Sequence, residues 1–286
     1  MKHIPVLLDS VLNALGDISG KTVVDCTFGA GGYSRAFLKA GANVIAFDRD
    51  SNVVDDANVL KCQFGDRFHF IPQTFSHIFE LGHTVDAVVF DLGISSMQID
   101  VPERGFSFRF DAPLDMRMSD IGMTAAQLIK ELSVSELSDV LRKYGDVKKA
   151  NILAAAIKDK MPQTTFELRE LIYNPNDIAP VFQALRIAVN DEMGELERAL
   201  SAVPDLLCVG GKCVCVTFHS LEDRIVKNTF RAWTTPLGDP RMPVLVPAPF
   251  DLIRAQTPSE VELQNNSRAR SAHMRGVVKR GEYEKR

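Results

Sequence analysis

The chain has 286 residues, enough for one large domain or two smaller ones. Apolar residues make up 45% and charged residues 24%, which excludes disorder as the default state. A net charge of −4 argues against a protein that coats nucleic acid indiscriminately, no run approaches the ~20 apolar residues of a membrane span, and Pro5, Asp9 and Asn13 interrupt the N-terminus too often for a signal peptide. A cytoplasmic protein is expected, with no membrane partner.

The first predicted helix runs from Pro5 to Leu15, with Pro5 in its first turn, Leu8, Val11, Leu12 and Leu15 on one face, and Gly16 as its stop. Strands are predicted at 22–26, 43–48, 67–71 and 86–91, and helices at 34–40 and 52–62. The first strand ends in Asp25 and the glycine-rich turn Gly29-Ala30-Gly31-Gly32, and the second ends in Asp48. This is the first βαβ half of a nucleotide-binding sheet: the glycines let the backbone approach a ligand, and Asp48 is placed to accept ribose hydroxyls. Counted from Gly29, a dinucleotide fingerprint would need Gly or Ala where Ser34 stands, which disfavours a nicotinamide-dependent oxidoreductase. Asp25 four residues before Gly29, with Gly31 and Gly32 close behind, fits an S-adenosylmethionine pocket better. That ligand carries a ribose and a sulfonium but no pyrophosphate for a helix N-terminus.

Asp86 to Asp91 is a continuous apolar run closing in an acid, as in a strand buried on both faces. The segment that follows, Asp91-Leu92-Gly93-Ile94-Ser95-Ser96-Met97-Gln98, lies at the sheet edge where α/β proteins bind ligands, although its residue types also suit a plain turn. A carboxylate there can orient an exocyclic amine for methylation. The attack on a sulfonium methyl needs positioning more than a strong base.

After a loop over 92–120, helix is predicted almost continuously to 203. Phe182, Leu185, Val189, Met193, Leu196, Leu200 and Val203 form one apolar stripe. Strand character returns at 212–218, where Cys213 and Cys215 face the same side. The expected architecture is therefore α/β and Rossmann-like, with a core from 1–110 and 205–286 and an all-helical domain inserted at 111–204. The proline-rich segment 234–258 is predicted as a surface loop. The basic stretch from Arg268 onward is either a phosphate-contacting tail or a solvated terminus.

Arg104-Gly105-Phe106-Ser107-Phe108 and Leu114-Asp115-Met116-Arg117-Met118 set aromatics and arginines in one loop, which suits either base stacking with phosphate contacts or packing between domains. In Phe218-His219-Ser220-Leu221-Glu222-Asp223-Arg224, Ser220 with Asp223 approximates a capping box, and His219 is either scaffold or proton carrier. The five cysteines show no C-x-x-C pair and read as buried thiols. There is no nucleophile elbow, P-loop or metal-ligand spacing, so no metal is expected.

Taken together, and in this order, these strings resemble the bacterial small-subunit ribosomal RNA methyltransferase H family, also called MraW. His3-Ile4-Pro5-Val6-Leu7-Leu8, Asp48-Arg49-Asp50, Phe182-Gln183-Ala184-Leu185-Arg186-Ile187 and Asn266-Ser267-Arg268-Ala269-Arg270-Ser271-Ala272 add to the match, which spans nearly the whole chain. The resemblance implies a class I methyltransferase core with S-adenosylmethionine as cofactor. It implies transfer to N4 of a cytidine in the decoding region of 16S rRNA, within the small ribosomal subunit. Carried over by position, the cofactor contacts are Gly31, Gly32, Tyr33, Asp48, Phe75, Asp91 and Gln98, with Phe75 against the adenine and Asp91 and Gln98 at the methionine end. The catalytic candidates are Asp91, Ser95, Ser96 and His219, and the RNA-contacting candidates are Arg104, Phe106, Arg117, Arg268 and Arg270. Tyr33 replaces the family's usual histidine, Met97 its proline before Gln98, Asp146-Val147 its paired glutamate and His273-Met274 its Lys-Leu. A DNA or other RNA amino methyltransferase and a non-enzymatic RNA-binding assembly factor are the rival readings. Oligomeric state is open, a homodimer included.

Overall fold

The computed structural model describes residues 5–236 and 247–282, and the side chains of Ser96, Ser267 and Arg268 lie outside the described residues. In chain order the elements are α1 (Leu8–Leu15), β1 (Thr22–Asp25), α2 (Gly32–Lys39), β2 (Asn43–Phe47), α3 (Val54–Phe64), β3 (Phe68–Ile71), β4 (Val85–Asp91) and the short α4 (Ser96–Asp100). Then come α5 (Ala125–Glu131), α6 (Val134–Gly145), α7 (Ala150–Lys160), α8 (Thr165–Glu170), α9 (Ile178–Asn190) and α10 (Glu192–Leu206). The chain closes with β5 (Leu207–Thr217), α11 (Ser220–Trp233), β6 (Phe250–Gln256), α12 (Glu260–Asn265) and β7 (His273–Lys279). Two compact units result: Met1–Gly93 with Met193–Arg286, and Ile94–Glu192.

The first unit is a seven-stranded sheet in the order β3-β2-β1-β4-β5-β7-β6, with neighbours from β3 through β5 parallel and β7 antiparallel to both β5 and β6. It is an α/β, Rossmann-like fold, as the alternation of buried strands and helices implied. Side-chain alternation along β4 builds a core on each face. Ala87 and Val89 join Val23, Val214 and Val216 with Val11, Phe37 and Leu60 from the helices. Val88 and Phe90 join Val24 with Leu200 and Val226. Cys26, Cys213 and Cys215 all fall in this second core, on one side of the sheet, where sulfur packs as a small apolar group.

Three sequence-based boundaries need correction. The first helix starts at Leu8 rather than Pro5, because Leu7 takes a left-handed conformation (φ 55°) with its amide donating to the Glu262 carboxylate. Within 234–258, residues 237–246 lie outside the described residues, but Phe250–Gln256 is strand β6 rather than loop. The basic stretch contains β7, whose Met274 and Val277 are buried in the sheet's cores and whose Arg275 is paired with Asp223 at 2.7 Å and 2.9 Å.

The predicted single stripe from Phe182 to Val203 is two. α9 ends at Asn190, Asp191 sits in the left-handed region (φ 48°), and α10 sets off anew. Phe182 and Leu185 enter the helical unit's core, whereas Leu196, Leu200 and Val203 enter the sheet unit's. Asn190 holds the break from inside: its Oδ1 accepts the Met118 amide at 2.8 Å and its Nδ2 donates to the carbonyls of Met116 and Arg186. Just past the break, Glu192 meets the Arg186 guanidinium through two bonds, at 2.7 Å and 2.9 Å. The units consequently part at Gly93/Ile94 and Glu192/Met193, not at 110/111 and 204/205.

Among the described residues the second unit has helices and no named strand. Capping boxes start four of them: Ser95 with Gln98, Thr124 with Gln127, Ser133 with Glu136 and Thr164 with Glu167. Each follows the S/T-x-x-E/Q pattern, which satisfies amides that the helix itself leaves unpaired. Its core packs Leu137 and Leu141 of α6, Ile157 of α7 and Val181 and Leu185 of α9.

Candidate functional site

The sheet order reverses between β1 and β4, and open α/β sheets bind ligands outside the carboxyl ends of the strands at such a crevice. The glycine turn follows β1 at that point. Its ladder continues past the strand, with the Cys26 amide donating to the Val89 carbonyl and the Phe28 amide to the Phe47 carbonyl, so the turn stays anchored to both neighbouring strands. Gly31 has φ 73° and a Cβ there would lie 2.9 Å from the Phe28 ring, while a Cβ on Gly32 would lie 2.4 Å from Pro5 Cγ. Two independent constraints, torsion and close approach, thus select glycine side by side.

The Asp48 carboxylate reaches back to this turn, accepting the Gly29 amide at 2.7 Å through Oδ2 and the Asp50 amide at 2.9 Å through Oδ1. Two of roughly four acceptor positions on a carboxylate are used, which leaves capacity for hydroxyl donors. Burial pushes its pKa up, opposed by those two amides. Phe75 begins the turn after β3, half-buried, its ring edge-on to Phe90 with centroids 5.6 Å apart.

Asp91 closes β4. Its amide donates to Thr27 Oγ1 at 2.7 Å, which ties the end of β4 to the turn after β1. Its Oδ1 is buried without a hydrogen-bond partner. Burial drives the carboxyl well above the usual carboxylate range, and the nearby Asp25 and Glu222 act in the same direction. A buried acceptor left open costs on the order of 1–3 kcal/mol, so this atom retains the capacity to accept from a donor outside the chain.

The sequence profile of the MraW methylase family matches residues 1–280. The chain belongs to that family. A Caulobacter vibrioides protein named ribosomal RNA small subunit methyltransferase H is 46% identical, covering 97% of this chain and 95% of its own length. One of the same name from Bartonella bacilliformis is 44% identical over 96% and 88%. A crystal structure of an rRNA methylase from Streptococcus thermophilus, 13% identical over 98% of this chain and 99% of that one, has a TM-score of 0.45, too slight a likeness to argue from.

Other positions singled out in the sequence have local partners. Tyr33 turns inward, 3% exposed, its hydroxyl donating to the Val6 carbonyl, so at the turn only its backbone is on offer. Ser95 caps α4: its Oγ accepts the Gln98 amide at 3.2 Å while Gln98 Oε1 accepts the Ser95 amide at 3.0 Å. This box holds Gln98 whatever residue stands at position 97. His219, not Ser220, caps α11. Its Nδ1 accepts the Glu222 amide at 3.4 Å, and Glu222 Oε2 accepts the amides of Phe218 and His219. The imidazole caps the helix through Nδ1, with its Nε2 3.0 Å from Glu222 Oε1, and the near-box read at Ser220–Asp223 is displaced by one residue.

Within the helical unit, Phe106 is 8% exposed and packs in the core, with the Arg104 guanidinium 5.6 Å from its ring centroid. Its ring packs with Leu114, Met116 and Met118 of the same loop rather than standing open as a stacking platform. Arg117 closes its fork on Asp115 at 2.8 Å and 2.7 Å and donates to the Asp120 carbonyl, so it staples the loop. Arg270 is exposed. The residues missed by sequence reasoning are Thr27 and Ser34. Thr27 bridges two strand ends, and the Ser34 hydroxyl donates to the buried Asp25 at 2.6 Å. A hydroxyl residue two places after a strand-end acid was the available signal.

Proposed function

We propose that this chain transfers the methyl group of S-adenosylmethionine to the N4 exocyclic amine of a cytidine in the decoding region of 16S rRNA, acting in the cytoplasm on the small ribosomal subunit. The observation that carries the reading is the open, buried Asp91 Oδ1 beside the glycine turn at the switch point, in a chain of the MraW methylase family whose close relatives are named small-subunit rRNA methyltransferases. The residues present fit such a donor. The turn is open at Gly29, where nothing lies within 4 Å of the place a Cβ would take, Asp48 retains acceptor capacity for its ribose, and Phe75 offers a half-buried ring to its adenine.

Bound there, the cofactor supplies an electrophilic methyl on sulfur. The protein's part is positional: the anchored turn fixes the binding site, and Asp91 offers an acceptor that orients a polar N–H. Arg104 and Arg270 are assigned to phosphate contact, and the helical unit, Ile94–Glu192, to substrate recognition. Incubating the chain with unmodified small subunits and S-adenosylmethionine, then digesting the rRNA for nucleoside mass spectrometry, tests the reading. N4-methylcytidine in the subunit arm is the expected product. Methylation only of DNA, or of no nucleic acid, would sink it, and a parallel arm with naked 16S rRNA identifies the form of the substrate.

A further inference from the structure

Three carboxylates stand at the ends of three adjacent parallel strands. The register places Asp25 of β1 beside Ala46 of β2 and Val89 of β4, so Asp48 and Asp91 each lie two residues beyond its neighbours. Asp25 is fully buried and accepts the Ser34 hydroxyl at 2.6 Å and the Thr27 amide at 3.2 Å. Asp91 has its open Oδ1. The ionisable groups facing Asp25 are Asp48, Asp91, Cys26 and Tyr33; those facing Asp91 are Asp25, Tyr33 and Glu222; Asp48 faces Asp50 and Arg49. Among the described residues the only cation in that company is Arg49, and it bears on Asp48. Neighbouring buried carboxylates lacking a cation cannot all ionise cheaply, and they relieve the cost by holding a proton.

We propose that Asp25, acting with Asp91, sets the pocket's preference for the charged donor over the spent one: the pair gives up a proton when a sulfonium is seated beside it and regains one when only the neutral thioether remains. The proposal rests on the methyl-donor reading above. Burial, as the leading cause, lifts both carboxyls, Asp25 to about 6, so a proton is available to exchange near neutral pH. The transfer balances. The amine lone pair forms the N–C bond, the C–S bond breaks with its electrons going to sulfur, and the amine loses a proton. One proton leaves the carboxylates on donor binding and one leaves the amine; the carboxylates take one back, for a net release of one per turnover. A site that loses its attraction as the charge disappears favours departure of the product.

Calorimetric titration of the full chain with S-adenosylmethionine and with S-adenosylhomocysteine, each in buffers of differing ionisation enthalpy, counts the protons directly. The sulfonium ligand is expected to release more protons than the thioether. The ratio of their affinities is expected to rise roughly tenfold between about pH 5 and about pH 7 and to flatten above. Asp25→Asn should shrink both differences. Equal proton release by the two wild-type complexes overturns the inference, and an unchanged difference in a folded Asp25→Asn overturns the part given to Asp25. Should that variant not fold, the wild-type comparison decides alone. Failure of both ligands to bind is a different result, and it removes the methyl-donor reading itself.

Discussion

Asp48 and Gly29 are joined by a 2.7 Å hydrogen bond from the glycine amide, so the acid that ends the second strand also sets the shape of the turn after the first. Asp48→Ala should therefore lose both a ligand acceptor and a brace of the turn. The expected cost in S-adenosylmethionine affinity is about 1.5–3 kcal/mol, the range for hydrogen bonds to charged groups. Titration calorimetry reads it, and unchanged affinity would remove Asp48 from the ribose assignment.

Gly32 tests the close approach at the turn. A methyl at this position would fall 2.4 Å from Pro5 Cγ, so Gly32→Ala should destabilise the sheet unit by about 1–3 kcal/mol through overpacking. Pairing it with Pro5→Ala should recover part of that loss, with a coupling of at least about 0.5 kcal/mol in a double-mutant cycle followed by denaturant unfolding. Strict additivity would show that the clash is not the cause.

Asp25 makes stability fall with rising pH over a defined window. Its folded pKa is raised from 3.8 to about 6, first by burial, so the folded chain holds its proton more tightly than the unfolded one. That contribution is complete below the unfolded value and is lost as pH rises through the folded value, on the order of 3 kcal/mol at most. In Asp25→Asn the group no longer titrates. The variant's stability relative to wild type should consequently climb between about pH 4 and about pH 6 and stay flat above. A relative stability independent of pH would contradict the burial argument.

Asn190 is the inner clamp of the α9–α10 break. Asn190→Ala would leave the Met118 amide and the Met116 carbonyl without their side-chain partner in a buried setting, at about 1–3 kcal/mol each. Asn190→Asp should cost as much or more, since it keeps the acceptor but removes the donor and adds a buried charge. Urea unfolding followed by circular dichroism measures both.

The strand runs Thr22–Asp25, Asn43–Phe47 and Val85–Asp91 and the glycine turn could be read directly, because each depends on neighbours close in the chain. Runs of β-branched residues and positive-φ glycines state their own geometry. β6 and β7 could not be read that way. The basic residues of β7 disguise a strand that pairs between β5 and β6 and whose Met274 and Val277 are buried in the cores on the two faces of the sheet.

Sequence alone determined the family, the parallel half of the sheet and the acids that end its strands, since motif order and local periodicity carry that information. Tertiary structure decided the roles of individual side chains, because those depend on partners far apart in the chain. Phe106 became core, Arg117 closed on Asp115, His219 capped a helix, and one apolar stripe divided at Asp191 between two hydrophobic cores. Asp91 shows the same division most sharply. Its position at a strand end was legible, but an oxygen without a partner is a property of everything packed around it.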